Sequence, residues 1–468
     1  MILSNTMKSL SPAFSRFFPL LAVILASASV DKATAVPAPT NSWTNPSTGL
    51  WTNASNWSPV LLPSSLSTVL ITNGGTAVLN TNSTIQALNI GYSTNISPAA
   101  SYSYGTVIIT NGGVLTVSNA IVGYANGDAG PSTLSISGNG TLIASNVTIA
   151  NQYGSYGILN VGTYGGSSTN VTLGAATVTF GGGLGTLNFN QSDILTNSSV
   201  FMGGTNISGA NSGGSPVIAQ LGSGTTVLTG RGGTNGASIV VDNGQLVVNN
   251  GSFTGIRVNP SSYGNSYLYV GVQGLGIIRR TGAATNNYSN STPVSMIITN
   301  GGVVNEQNVF VGLGDGSTLK NSNNWLLVNG SNSSLTGANI SIGNEGNNNS
   351  LIVTNKATVT CTITLDIGDE GNGNTAIITG TNSSLNVMHN LGVGYSYSTN
   401  NANFGNSNSL IISNGASVTV GTGLYIGQYY GYGNSVLVTG TNSSLSNSSI
   451  YLGEYQGGCL GGQNTLTV

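Results

Sequence analysis

Asp366, Asp369 and Glu370 form the one acidic cluster in the chain. Grouped carboxylates suit two kinds of chemistry: general acid–base work on a glycosidic bond, or calcium binding through hard oxygen ligands. Both normally draw on further partners. No Lys or Arg stands at the equivalent place of a neighbouring repeat, and the nine-residue Gly-Gly-x-Gly-x-Asp calcium repeat is absent. His389 is the single histidine, so a zinc site fails on ligand count. No Gly-x-Ser-x-Gly context supports a serine nucleophile. Cys361 should point inward as a small apolar residue. Cys459 lies about four repeats away, roughly 19 Å at strand spacing, too far for a disulfide. The expectation is no catalytic residue and no cofactor, with Asp366, Asp369 and Glu370 as a weak calcium candidate.

Tyrosines offer a different chemistry. Tyr92, Tyr124, Tyr395, Tyr397, Tyr429, Tyr430, Tyr432 and Tyr455 all follow a recurring apolar-Gly pair. Rings with a polar tip suit carbohydrate faces and protein interfaces. If successive repeats stack, these tyrosines should form a stripe along one edge. Tyr395, Tyr397, Tyr429, Tyr430, Tyr432 and Tyr455 are the candidate binding residues.

Composition narrows the classes. The chain has 468 residues, 69 of them Gly, and a net charge of −2. Only 4% of residues are charged, where an ordinary domain carries about a quarter. Nine basic residues cannot neutralise many phosphates, so nucleic acid is excluded as a partner. The 39% hydrophobic content argues against disorder. Lys8 and Arg16 precede a 14-residue apolar run, Phe17 to Val30, too short to span a bilayer and suited to a signal peptide. Small-x-small sites place cleavage after Ala28 or Ala35. No later segment is long and apolar enough to cross a bilayer as a helix.

The elements that carry these residues repeat. Leu326, Leu351, Ala376, Leu410 and Val436 open similar strands at spacings of 25, 25, 34 and 26 residues. Two phrases alternate after them, Asn-Gly and Gly-Thr-Asn-Ser-Ser-Leu. A second anchor recurs as Ile342-Gly343, Ile367-Gly368, Val393-Gly394 and Ile426-Gly427. Within a repeat the period is two. Val359, Cys361, Ile363, Leu365 and Ile367 should be buried, and Thr358, Thr360, Thr362 and Thr364 exposed. A unit of about 25 residues cannot bury its apolar face alone, so stacked units must share one core. The expectation is all-β: a parallel right-handed β-helix over 67–468, blurred over 165–295, after a signal peptide (1–35) and a Trp-rich cap (36–66). Outward Asn, Ser and Thr should stack as ladders.

The apolar-Gly anchors, the Gly-Asn before each strand and the Gly-Thr-Asn-Ser-Ser-Leu phrase resemble the repeat of type V (autotransporter) passengers and PEP-CTERM-tailed bacterial surface proteins. The segment Trp43 to Trp57 is similar to the opening of such passengers. The resemblance implies Sec-dependent export and a secreted or cell-surface role, often adhesive. The sequence departs from the family in carrying neither an outer-membrane barrel nor a Pro-Glu-Pro anchor up to Val468. The reading is a structural or adhesive solenoid whose partners are glycans, matrix or neighbouring surface components. It has no membrane span after signal removal, and its last rung could self-associate. The alternatives are a polysaccharide-active β-helix enzyme and a passenger fragment of a longer protein.

Overall fold

The computed structural model describes residues 38–92, 103–124, 130–152, 154–163, 168–203, 216–230, 237–254, 267–272, 293–314, 321–396, 405–453 and 462–468. The signal segment, Tyr397, Tyr455 and Cys459 lie outside them.

Alternating apolar and polar residues make strands, and the strands stack in parallel. Trp325–Asn329, Ser350–Thr354, Thr375–Thr379, Ser409–Ser413 and Ser435–Thr439 pair in register. Leu326, Leu351, Ala376, Leu410 and Val436 therefore form one interior column, all fully buried. Each large aliphatic side chain so buried contributes about 2 kcal/mol against chain entropy. The described residues form a β-solenoid of about 12 turns. The described residues contain no α-helix, and no helix long and apolar enough to cross a membrane.

In the C-terminal half a rung is a short strand, a tight turn and a long strand that bends once. Thr358–Asp369 is one long strand. Val359, Cys361, Leu365 and Ile367 are buried as the alternation requires, but Ile363 is 48% exposed. The register explains this correction. Gly337 pairs with Cys361 and Asn339 with Thr364, so this rung carries one extra residue at its bend. The bend turns Ile363 outward at a corner, and the alternation resumes at Leu365.

The blurred middle of the sequence hides a change of role between faces. Near the N-terminus the short strands are Ser132–Ile136, Tyr156–Val161 and Leu184–Phe189. Their stack continues through Val217–Gln220, Ser238–Val241 and Tyr267–Val272 onto the second half of the long strand Val303–Leu313. Meanwhile the stack begun by Ile194–Asn197 continues through Thr225–Leu228, Gln245–Asn249 and Ser295–Thr299 onto the short strand Trp325–Asn329. The side chain of Asn197 donates to Leu173 O, seating that stack on the first half of the long strand Thr172–Phe180. The sequence phrase thus slips by one face while the walls stay continuous.

The N-terminal end is closed by tryptophan. Thr40–Trp43 pairs in parallel with Thr68–Ile71 but antiparallel with Trp57–Ser58. Trp43, Trp51 and Trp57 are buried, with edge-on ring contacts at 4.9 and 4.8 Å. Trp57 Nε1 donates to Trp51 O at 2.8 Å. Segment 36–66 also supplies Thr48–Leu50, which pairs with Thr76 to Val78.

Candidate functional site

In the C-terminal rungs a buried asparagine ladder sets the corner after the long strand. Asn349, Asn374, Asn408 and Asn434 each accept, at Oδ1, the backbone N–H of the asparagine one rung earlier, at 2.8–2.9 Å. Their Nδ2 groups donate along the same ladder, from Asn349 to Asn374 and from Asn374 to Asn408, at 3.1 Å. All four are at most 1% exposed. These asparagines face inward, whereas the outward ladders expected from the sequence are a separate set that includes Asn355 to Asn329 at 2.7 Å. Desolvated amides must be paired, and a repeat pairs each one with the next.

The ladder fixes the residues just past each Gly anchor. Asp369 pairs in register with Tyr395, and Tyr395 with Gln428. Two residues before the anchor runs another outward column: Ser341, Asp366, Gly392, Tyr425 and Tyr451. The two columns meet in a cleft of about 370 Å³ lined by Thr364, Asp366, Asp369, Asn390, Gly392, Tyr395, Tyr425 and Gln428. Tyr425 stacks on Tyr451 with centroids 4.8 Å apart and planes 8° apart. Tyr395 meets Tyr429 edge-on at 5.3 Å.

Burial, then the neighbouring Asp369 charge, pushes the Asp366 carboxyl up to about 7. Burial raises Asp369 to about 6, with Glu370 and Glu345 adding like charge. Asn344 Nδ2 donates to Asp369 Oδ2 at 2.8 Å. Asn390 Oδ1 is buried with no hydrogen-bond partner among the described residues.

The chain matches no protein-family model, no curated protein and no solved structure.

The structure brings some of the expected residues together and separates others. Asp366 and Asp369 share the cleft, whereas Glu370 sits at a left-handed corner (φ +56°) and does not line it. Among the described residues no three acidic, histidine or cysteine side chains converge where an ion could sit. Tyr395 and Tyr429 touch, Tyr430 is half-buried, and Tyr432 is exposed, its N–H donating to Asn406 Oδ1 at 2.8 Å. The single stripe is corrected. Tyr92 and Tyr124 form their own pair at 4.6 Å, but the one-face slip puts it on a different corner from Tyr395 and Tyr429. His389 is exposed at a bend. Cys361 is buried, its thiol pushed up to about 11 mainly by burial, and it donates to Ala338 O at 3.3 Å.

The cleft is hidden when the acidic cluster is read along the chain, because its walls come from different rungs. A signal is nonetheless present. In each apolar-x-apolar-Gly phrase, the middle residue runs Phe310, Ser341, Asp366, Gly392, Tyr425, Tyr451. Aligning the anchors writes the column directly.

Proposed function

We propose that this chain is an exported structural or adhesive solenoid that holds other surfaces through repeated contacts along its outer columns. The observation that carries the reading is the pairing of Tyr395 with Tyr429 and of Tyr425 with Tyr451 on neighbouring outward columns of one rigid wall. Rigid aromatic area binds at low entropic cost, and a row of weak contacts adds by avidity. Export is supported by the charged and apolar N-terminal sequence, and a surface role by the resemblance of the repeats to bacterial passenger proteins.

The experiment displays the chain on cells with Tyr429, Tyr430 and Tyr432 changed together to Ser. Attachment to glycan-coated and abiotic surfaces should drop while circular dichroism stays unchanged. Undiminished attachment with an intact fold rejects the reading.

A polysaccharide-cleaving enzyme is the second reading, favoured by one observation: two carboxylates titrating near neutrality share a cleft. Depolymerisation of a polysaccharide by the purified chain, abolished by Asp369→Asn, would establish it. That the chain is a passenger piece of a longer protein is compatible with either reading.

A further inference from the structure

We infer that the cleft between Asp366 and Tyr425 binds a pyranose ring lacking acidic groups, seated in the space above Gly392. The inference rests on the binding reading above and names a ligand class for one place on that wall.

The geometry is that of a stack with one layer open. Asp366, Gly392 and Tyr425 occupy three consecutive layers of one outward column. Layers repeat at about 4.8 Å, so Asp366 and Tyr425 stand about 9.6 Å apart along the wall. Among the described residues this column has no side chain of its own in the middle layer, because the residue there is Gly392. Tyr425 and Tyr451 already lie nearly parallel at 4.8 Å. A ring placed over Gly392 would extend that stack by one layer, presenting its C–H face to an aromatic ring.

The other wall demands hydrogen-bond donors. A Cβ on Gly392 would stand 2.7 Å from Asp366 Oδ1, so the carboxylate reaches into the open layer. No hydrogen bond satisfies the Asp366 carboxylate among the described residues, and the buried Asn390 Oδ1 beside it also lacks a donor. Hydroxyl or amino groups around a sugar ring would supply both. Burying such acceptors unpaired is costly, and a donor to a charged acceptor recovers more than a neutral pair does.

Charge then selects among sugars. Asp366 and Asp369 line the cleft, Glu345 and Glu370 sit on the adjoining corners, and no Lys, Arg or His lines it. A uronic or sulfated ring would meet like charge in a partly desolvated site. Neutral and amino sugars would not.

The test titrates the purified chain at pH 8.5, where Asp366 and Asp369 are both ionised, with three tetrasaccharides: cellotetraose, its 2-amino-2-deoxy counterpart, and tetragalacturonate. Calorimetry should give saturable binding for the first two and none for the third. Asp366→Asn should weaken binding about tenfold, the loss expected for one charge-assisted hydrogen bond. Tyr425→Ala should weaken it by a similar factor through lost stacking. Gly392→Ala should abolish it by filling the layer, and Ile194→Ser, remote and exposed, should leave it unchanged. Circular dichroism and melting check each fold. If Gly392→Ala misfolds, the other two variants decide. Absence of binding by both non-acidic sugars, equal binding of the acidic one, or unaltered affinity in Asp366→Asn and Tyr425→Ala overturns the inference. Attachment that depends on Tyr429, Tyr430 and Tyr432 while no sugar binds would overturn the cleft and leave the adhesive reading standing.

Discussion

Gly368 lies against the amide of Asn408, so close that a Cβ on the glycine would stand 2.2 Å from the Asn408 carboxamide carbon. The backbone there is also left-handed, with φ at +79°. Asn408 Oδ1 takes two donors from Asn374, and its Nδ2 reaches Gly371 O at 2.9 Å. The glycine is the space in which the ladder's amide is seated.

Gly368→Ala and Asn408→Ala should therefore each destabilise the chain by about 3 kcal/mol or more. The first adds a methyl where there is no room. The second strands several buried polar groups at about 1–3 kcal/mol each. Urea unfolding followed by circular dichroism measures both. A loss under about 1 kcal/mol in either would show that the ladder is dispensable.

Lys356 offers the opposite prospect. It holds a left-handed φ of +69°, where the equivalent turns carry Gly301 and Gly415. Its N–H donates to Ser383 Oγ at 3.1 Å, and Gly415 N–H likewise donates to Ser443 Oγ. The backbone, not the side chain, makes the contact. Lys356→Gly should raise stability by about 1 kcal/mol, the strain of a side chain in that region. An unchanged or lower urea midpoint would contradict this.

The bend at Ile363 separates two substitutions that alternation alone treats alike. Ile363→Asp places a charge at an exposed corner and should cost within about 0.5 kcal/mol. Leu365→Asp buries an unpaired carboxylate in the shared core and should cost more than about 4 kcal/mol. Thermal melting of the two variants side by side checks the register.

Stability should also fall as pH rises. Asp366 and Asp369 are pushed up to about 7 and about 6, chiefly by burial, while Glu370 and Glu345 face Asp369. An unfolded aspartate titrates at about 3.9. The native state therefore holds protons that the unfolded chain has released. The stabilisation is complete below about pH 4 and lost as pH climbs through the two native values. Tm should be higher at pH 5 than at pH 8, and Asp366→Asn with Asp369→Asn should flatten that slope. A slope that survives the double variant would assign it elsewhere.

Much of the architecture is legible in the linear chain because its causes are local. The period-two alternation around Val359 and Leu365 makes strands whatever surrounds them. The spacing of Leu326, Leu351, Ala376 and Leu410 forces stacking, since one rung cannot cover its own apolar face. Asn355, Asn382 and Asn414 adopt the left-handed corners that their phrases foretell.

The strand, the repeat and the shared core were thus determined by the sequence alone. Tertiary structure decided the rest, because each remaining feature depends on which residues of different rungs become neighbours. The one-face slip between Leu184–Phe189 and Val303–Leu313 moves Tyr124 and Tyr429 to different corners, although their local phrases match. The inward turn of Asn374 and Asn408 depends on the glycine beneath each, which sits in another rung. Asp366, Gly392 and Tyr425 are far apart along the chain and consecutive layers in space. Local propensity sets each strand's alternation, but the cleft arises from lateral pairing at one strand spacing, an interaction between segments that no single rung contains.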